Sequence, residues 1–201
     1  MLWSIVIPVK GSIGKSRLDA GDARAALAVA FARDVITAAR DADAVGRVVV
    51  VTCDPAVTGG IQGIEIVDDP EGGLHAAIAA GVAALDPAAP AAVLLGDLPA
   101  LTPAALDGAL ELAAREPRSC VPDALTTGTT MLAAQRADAL RPRFGPGSAE
   151  LHRRAGHVPL PIEHDSGLRL DVDELADLHA ALDLGVGAHT QAVLDGASLS
   201  T

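Results

Sequence analysis

The 201 residues carry 26 acidic against 15 basic side chains, a net charge of −11, and half of them are hydrophobic. That charge argues against a nucleic-acid partner, because a phosphate backbone needs a basic face, and the apolar share argues against a disordered chain. No apolar run approaches the roughly 20 residues of a membrane span, and no basic region precedes the first apolar stretch, so a cytoplasmic protein without membrane contact is expected.

In chain order, Ile5–Val9 reads as a first strand. It breaks into a glycine-containing segment, KGSIGKSR, that holds Lys10, Lys15 and Arg17; these two lysines are the only ones in the chain. Residues 23–42 have helical spacing and much alanine. Arg47–Thr52 is a β-branched run of the kind buried on both faces of a sheet. A short strand over Gly63–Val67 and a helix over Gly73–Leu85 follow. Ala92–Leu95 is a buried strand that ends at Gly96-Asp97. Thr102 can cap a helix with Pro103 in its first turn, running to about Arg115. Ser119–Val121 and Thr129–Leu132 read as short strands, Ala149–Arg154 as a short helix and Asp173–Leu184 as another. From about Gly185 the pattern is weak. The expectation is one domain over residues 1–187 with 188–201 as a loose tail.

Strands alternating with helices imply an α/β fold with a mostly parallel sheet covered on both faces. In such folds ligands sit outside the carboxyl ends of the strands, which singles out the loops after Val9 and Leu95 and the late glycine-rich segments. The lysine loop fits neither the GxxxxGK[ST] nor the GxGxxG pattern; it is either a polyphosphate cradle or a solvated basic turn. Asp97, at a strand's end, suits Mg²⁺ held against substrate phosphates. Asp171 and Asp173 alternate on an extended segment, so one can face Asp97 and the other can cap the helix that follows. TTGTTML and RFGPGSAELHRR offer hydroxyls and glycine amides for an anionic group, with Ser148 at a helix start; ordinary turn chemistry is the competing reading. His152 reads as a packing residue rather than a catalytic one. Cys53 and Cys120 are expected as buried free thiols. No serine has a GxSxG setting and no Cys–His pair stands out, so covalent catalysis by the protein has no support.

These segments together resemble the CofC/FbiD family, the guanylyltransferases of coenzyme F-420 biosynthesis. The resemblance rests on IPVK with KSRL, GLHAA at 73–77, GDLPAL, TGTT, FGPGS with the downstream HRR, and LDVDELADL, in that order over about residues 5–187. It implies a three-layer nucleotidyltransferase fold, similar to glycosyltransferase-A and Rossmann-like, and transfer of GMP from GTP to a small phosphorylated three-carbon acid with release of pyrophosphate. It implies phosphoenolpyruvate as the acid, with 2-phospho-L-lactate or 3-phosphoglycerate as alternatives, and the pathway's next transferase as a functional partner. By position, Thr130, Gly145 and Ser148 match the acid-binding residues, and Asp97, Asp171 and Asp173 the magnesium ligands. Lys10, Lys15 and Arg17 match the triphosphate loop, with Lys10, Lys15 and Asp97 as the catalytic charges. Gly73 and His75 fall on the nucleotide segment, where family members often carry Asn in place of His75.

The chemistry agrees with the residues. The acceptor phosphate is already anionic at neutral pH, so no general base is required and catalysis reduces to positioning and charge stabilisation. A molybdenum-cofactor guanylyltransferase is an alternative, although its usual LAGG-type loop is missing here. A non-catalytic nucleotide-binding regulator is another, which would have no need of both acidic segments.

Overall fold

The computed structural model describes residues 1–9 and 24–198. Its elements run β1 (Trp3–Pro8), α1 (Arg24–Asp41), β2 (Val45–Val51), α2 (Pro55–Thr58), β3 (Glu65–Val67), α3 (Leu74–Ala83), β4 (Ala91–Leu94) and α4 (Pro103–Ala113). There follow β5 (Arg118–Pro122), β6 (Thr129–Ala134), α5 (Ser148–Arg154), β7 (Val158–Pro159), α6 (Leu175–Leu184) and α7 (Ala188–Ser198). The strands form one seven-stranded sheet in the order β3-β2-β1-β4-β6-β5-β7. β1 pairs in parallel with β2 and β4, and β2 with β3; β6 runs antiparallel to both β4 and β5, and β7 pairs in parallel with β5. The mixed, mostly parallel sheet is as the sequence led one to expect.

The continuous apolar strands serve two layers. Ile5, Ile7, Val48, Val50, Ala92 and Leu94 pack with α1 and α4 on one face. Val6, Val49, Val51, Ala91 and Val93 pack with Ala77 and Ile78 of α3 and with Phe144 on the other. A smaller core of Leu27, Phe31, Ala100, Val172, Leu178 and Ala181 joins α1 to the C-terminal segment. Burying each of the Val, Leu, Ile and Phe side chains among them contributes about 1.5–3 kcal/mol. Thr102 caps α4 as expected, its hydroxyl accepting from the Ala105 amide at 3.2 Å.

Four features differ from the sequence reading. Residues 188–198, expected as a loose tail, are helical in α7, and the buried carboxylate of Asp34 accepts from the His189 and Thr190 amides at 2.9 Å each. α6 begins at Leu175, and it is Asp177 that accepts from the Asp173 and Glu174 amides, so neither Asp171 nor Asp173 caps the helix. The two-residue β7 and four-residue α2 are too short to carry a period. Both cysteines are free, but Cys53 is exposed; only Cys120 is buried, and burial pushes its thiol up to about 11.

Candidate active site

All the parallel strands deliver their carboxyl ends to one edge of the sheet, and β6, running the other way, brings its amino end there. The candidate residues within the described chain converge on that edge. β4 leaves the sheet through Leu95, whose amide donates to the Thr130 carbonyl at 3.0 Å, and enters the Gly96-Asp97 turn. The Val172 amide donates to the Asp97 carbonyl at 3.0 Å, so the Asp171–Asp173 segment crosses directly over that turn. This single bond joins two acidic segments more than 70 residues apart in sequence.

Asp171 is half-buried, and its carboxyl is pushed up to about 7, first by burial and then by the negative charge of Asp97, with smaller contributions from Asp173 and Asp123. Among the described residues no three His, Cys, Asp or Glu side chains form a group that could hold a metal ion. Two hard carboxylates near enough for the charge of one to act on the other, in a partly buried and negative setting, nevertheless suit Mg²⁺, which takes one or two protein carboxylates and completes its shell with water and substrate phosphates. The donor set therefore fits the ion, with Asp97 acting more strongly on half-buried Asp171 than exposed Asp173 does.

Thr130 lies at a register shift. One step on β5, from Val121 to Pro122, spans two on β6, from Met131 to Thr129, so Thr130 is the extra residue of a bulge. Bulges re-aim side chains beside active sites. Its buried hydroxyl donates to the Val121 carbonyl at 3.3 Å. Gly145, exposed at φ 126°, and Gly147, at φ 72°, take backbone conformations that side chains resist, and they turn the chain into α5. Ser148 opens that helix and is buried, with its hydroxyl oxygen 3.3 Å from Thr129 Oγ1, a hydroxyl–hydroxyl hydrogen bond.

Gly73, at φ 83°, starts α3, and His75 is exposed in its first turn. The charge of His75 reaches His152. The loop carrying Lys10, Lys15 and Arg17 lies outside the described residues. Arg153 and Arg154 are exposed and both pair with Glu150.

Two residues that sequence reading passed over, Arg169 and Asp123, organise this edge, together with His152. Arg169 donates to the carbonyls of Pro122, Asp123 and Ile162 at 3.1, 2.8 and 3.2 Å, pinning the run that leads to Asp171 onto the end of β5. Asp123 accepts from the Thr127 and Gly128 amides at 2.9 and 2.7 Å and shapes the turn into β6. Asp123 could have been found, since like Asp97 it stands straight after an apolar strand; nothing local marks Arg169. His152 is fully buried, as a packing residue would be, but it is also polar-bonded at both ring nitrogens.

A family model described as the MobA-like NTP transferase domain matches residues 27–153. The chain belongs to this family. A phosphoenolpyruvate guanylyltransferase of Streptomyces scabiei is 46% identical over 206 residues, covering 96% of this chain and 95% of that protein. One from Streptomyces avermitilis is 44% identical over 202 residues, covering 96% and 94%. A crystal structure of a Desulfovibrio desulfuricans protein described as a nucleotide-diphospho-sugar transferase superposes with a TM-score of 0.67 over 99% of this chain and 96% of that one, at 20% identity, and so speaks to the fold alone. The chain is a nucleotidyltransferase, with the three-layer glycosyltransferase-A-like fold of its structural neighbours. No helix among the described residues of this MobA-like NTP transferase is long and apolar enough to cross a membrane.

Proposed function

We propose that this nucleotidyltransferase moves GMP from GTP onto phosphoenolpyruvate, giving enolpyruvyl-diphospho-5'-guanosine and pyrophosphate, in coenzyme F-420 biosynthesis. The observation that carries the reading is the Val172–Asp97 hydrogen bond, which sets the Asp171–Asp173 segment over the turn ending β4, at the sheet edge that also holds Thr130 and Ser148. The names of the curated relatives supply the acid.

An oxygen of the acid's phosphate forms a bond to the α-phosphorus of GTP, and the bond from that phosphorus to the bridging oxygen of the β-phosphate breaks. Pyrophosphate leaves, and no proton need be removed from the nucleophile. Thr130, Gly145 and Ser148 hold the acid; Gly73 and His75 contact the nucleoside; Lys10, Lys15 and Arg17 neutralise the triphosphate. Asp97 and Asp171 would hold Mg²⁺, with Asp173 assisting, and the ion supplies electrostatic stabilisation of the phosphates. Ser148 and the bulge at Thr130 fix the acceptor's orientation, which is where much of a transfer barrier is removed.

The test is pyrophosphate release with GTP or ATP against phosphoenolpyruvate, 2-phospho-L-lactate and 3-phosphoglycerate. Release with GTP and phosphoenolpyruvate at a kcat/KM at least about tenfold above every other pair is expected, a difference of about 1.4 kcal/mol in transition-state binding. Preference for another acid would move the assignment to that acid, and release with none would remove the transferase reading of this site.

A further inference from the structure

The hydroxyls of Thr129 and Ser148 form a buried pair whose proton count is fixed by a neighbour. The backbone amide of Arg143 donates to His152 Nε2 at 2.8 Å. A backbone N–H can only donate, so Nε2 is the unprotonated nitrogen. Burial, followed by the charges of His157, Arg143 and His75, keeps the ring neutral, so its one proton is on Nδ1. That nitrogen lies 2.9 Å from Thr129 Oγ1 and must donate to it. Phe144 and His157 pack edge-on against the ring at centroid distances of 5.0 and 5.8 Å, which holds its plane in place.

The ring therefore gives a proton to the pair and can take none back. Thr129 and Ser148 own two hydroxyl protons, and the 3.3 Å gap between their oxygens holds one of them. Among the described residues neither hydroxyl has another acceptor. One O–H is left directed away from the pair, whichever of the two it is. With the opposite tautomer the ring would absorb that proton, and the pair would present only lone pairs, which repel an anion.

We infer that His152 is a positioning residue that polarises the Thr129–Ser148 hydroxyl pair, leaving it one outward hydrogen-bond donor for an anionic oxygen of the acid substrate. The inference rests on the reading above that Ser148 borders the acid's site. It adds Thr129 as a binding hydroxyl and gives His152 a task that packing alone would not require.

The experiment is steady-state pyrophosphate release for Ser148→Ala, Thr129→Val, Thr129→Ser, His152→Phe and His152→Gln, with a thermal melt of each. Losing one hydrogen bond to an anion is expected to raise the acid KM about tenfold in Thr129→Val and His152→Phe, with the GTP KM within about twofold of the parent. Thr129→Ser keeps a hydroxyl. The amide of His152→Gln can accept from Arg143 and donate to Thr129. Both should return the acid KM to within about threefold of the parent. A packing role would instead make Gln no better than Phe, or raise both KM values together, and either result overturns the inference. Should His152→Phe fail to fold, the Thr129→Val and Thr129→Ser pair decides alone. An acid KM unmoved in Ser148→Ala sinks the acid-site reading itself; an acid KM raised there, with Val and Ser alike at 129, sinks only the role given to Thr129 and His152.

Discussion

Gly167 packs against the backbone of Ala100, four residues before Asp171 in the segment that crosses over Asp97. A methyl group on its Cα would lie 2.0 Å from the Ala100 carbonyl oxygen and 2.4 Å from its carbon, both backbone atoms that cannot swing aside. Gly167→Ala should therefore cost about 3 kcal/mol of stability, at the upper end of overpacking penalties, and should lower turnover by lifting Asp171 off Asp97. Urea denaturation together with kcat checks both halves; a variant of normal stability and turnover would show that the contact is not needed. Asp97→Asn keeps the shape and removes the charge, so a turnover loss of at least about 100-fold with an unchanged melting temperature is expected. At this scale the sequence was partly readable. Asp97 is marked as a candidate by its place after a buried strand, where a turn or cap is the competing reading. Arg169 is not, because its three acceptors are backbone carbonyls, which have no signature in the sequence.

Helices and strands were most legible where burial on both faces writes a continuous apolar run, as in β1, β2 and β4, and least where an element depends on a distant partner. α7 is the clearest case. Its sequence, AHTQAVLDGAS, has little apolar periodicity. Its first amides are satisfied by Asp34 of α1, 155 and 156 residues away in sequence. No local pattern can encode a cap supplied from that far. Asp34→Ala leaves those amides unsatisfied in a buried setting and should cost about 1–3 kcal/mol. It should also make the chain after Gly187 the first site of limited proteolysis; unchanged cleavage kinetics would show that α7 is held by its apolar contacts instead. α3 illustrates the reverse, an element whose position the sequence did encode. Gly81 meets β1 and β2 so closely that a methyl would sit 2.4 Å from Val6 Cγ1 and 2.8 Å from Val51 Cγ2, an approach that outweighs the roughly 1 kcal/mol that a helical glycine costs against alanine.

For the whole molecule, acid should act through buried histidine against a background of opposing terms. Below neutral pH the net charge of −11 shrinks, which relieves self-repulsion, and Asp171, with its carboxyl raised to about 7, takes up its proton more readily folded than unfolded. Both favour the folded state as pH falls. His152 works the other way. Its folded value is pushed from 6.5 down to about 4, chiefly by burial and then by the charges of His157, Arg143 and His75. Between those two values the unfolded chain binds a proton that the folded chain refuses. Stability from this group is therefore complete above pH 6.5, declines as pH falls towards 4 and changes no further below that. From pH 7 to pH 5 the loss is about 2 kcal/mol. His157, also lowered chiefly by burial, adds in the same direction. The opposing terms are common to the parent and to His152→Gln, so they cancel in the difference between the two proteins. Urea midpoints at pH 7 and pH 5 should show the parent losing about 2 kcal/mol relative to the variant. Parallel pH profiles would mean that the folded protein protonates His152 as readily as the unfolded chain does, and that its bond to the Arg143 amide does not hold the ring neutral in solution.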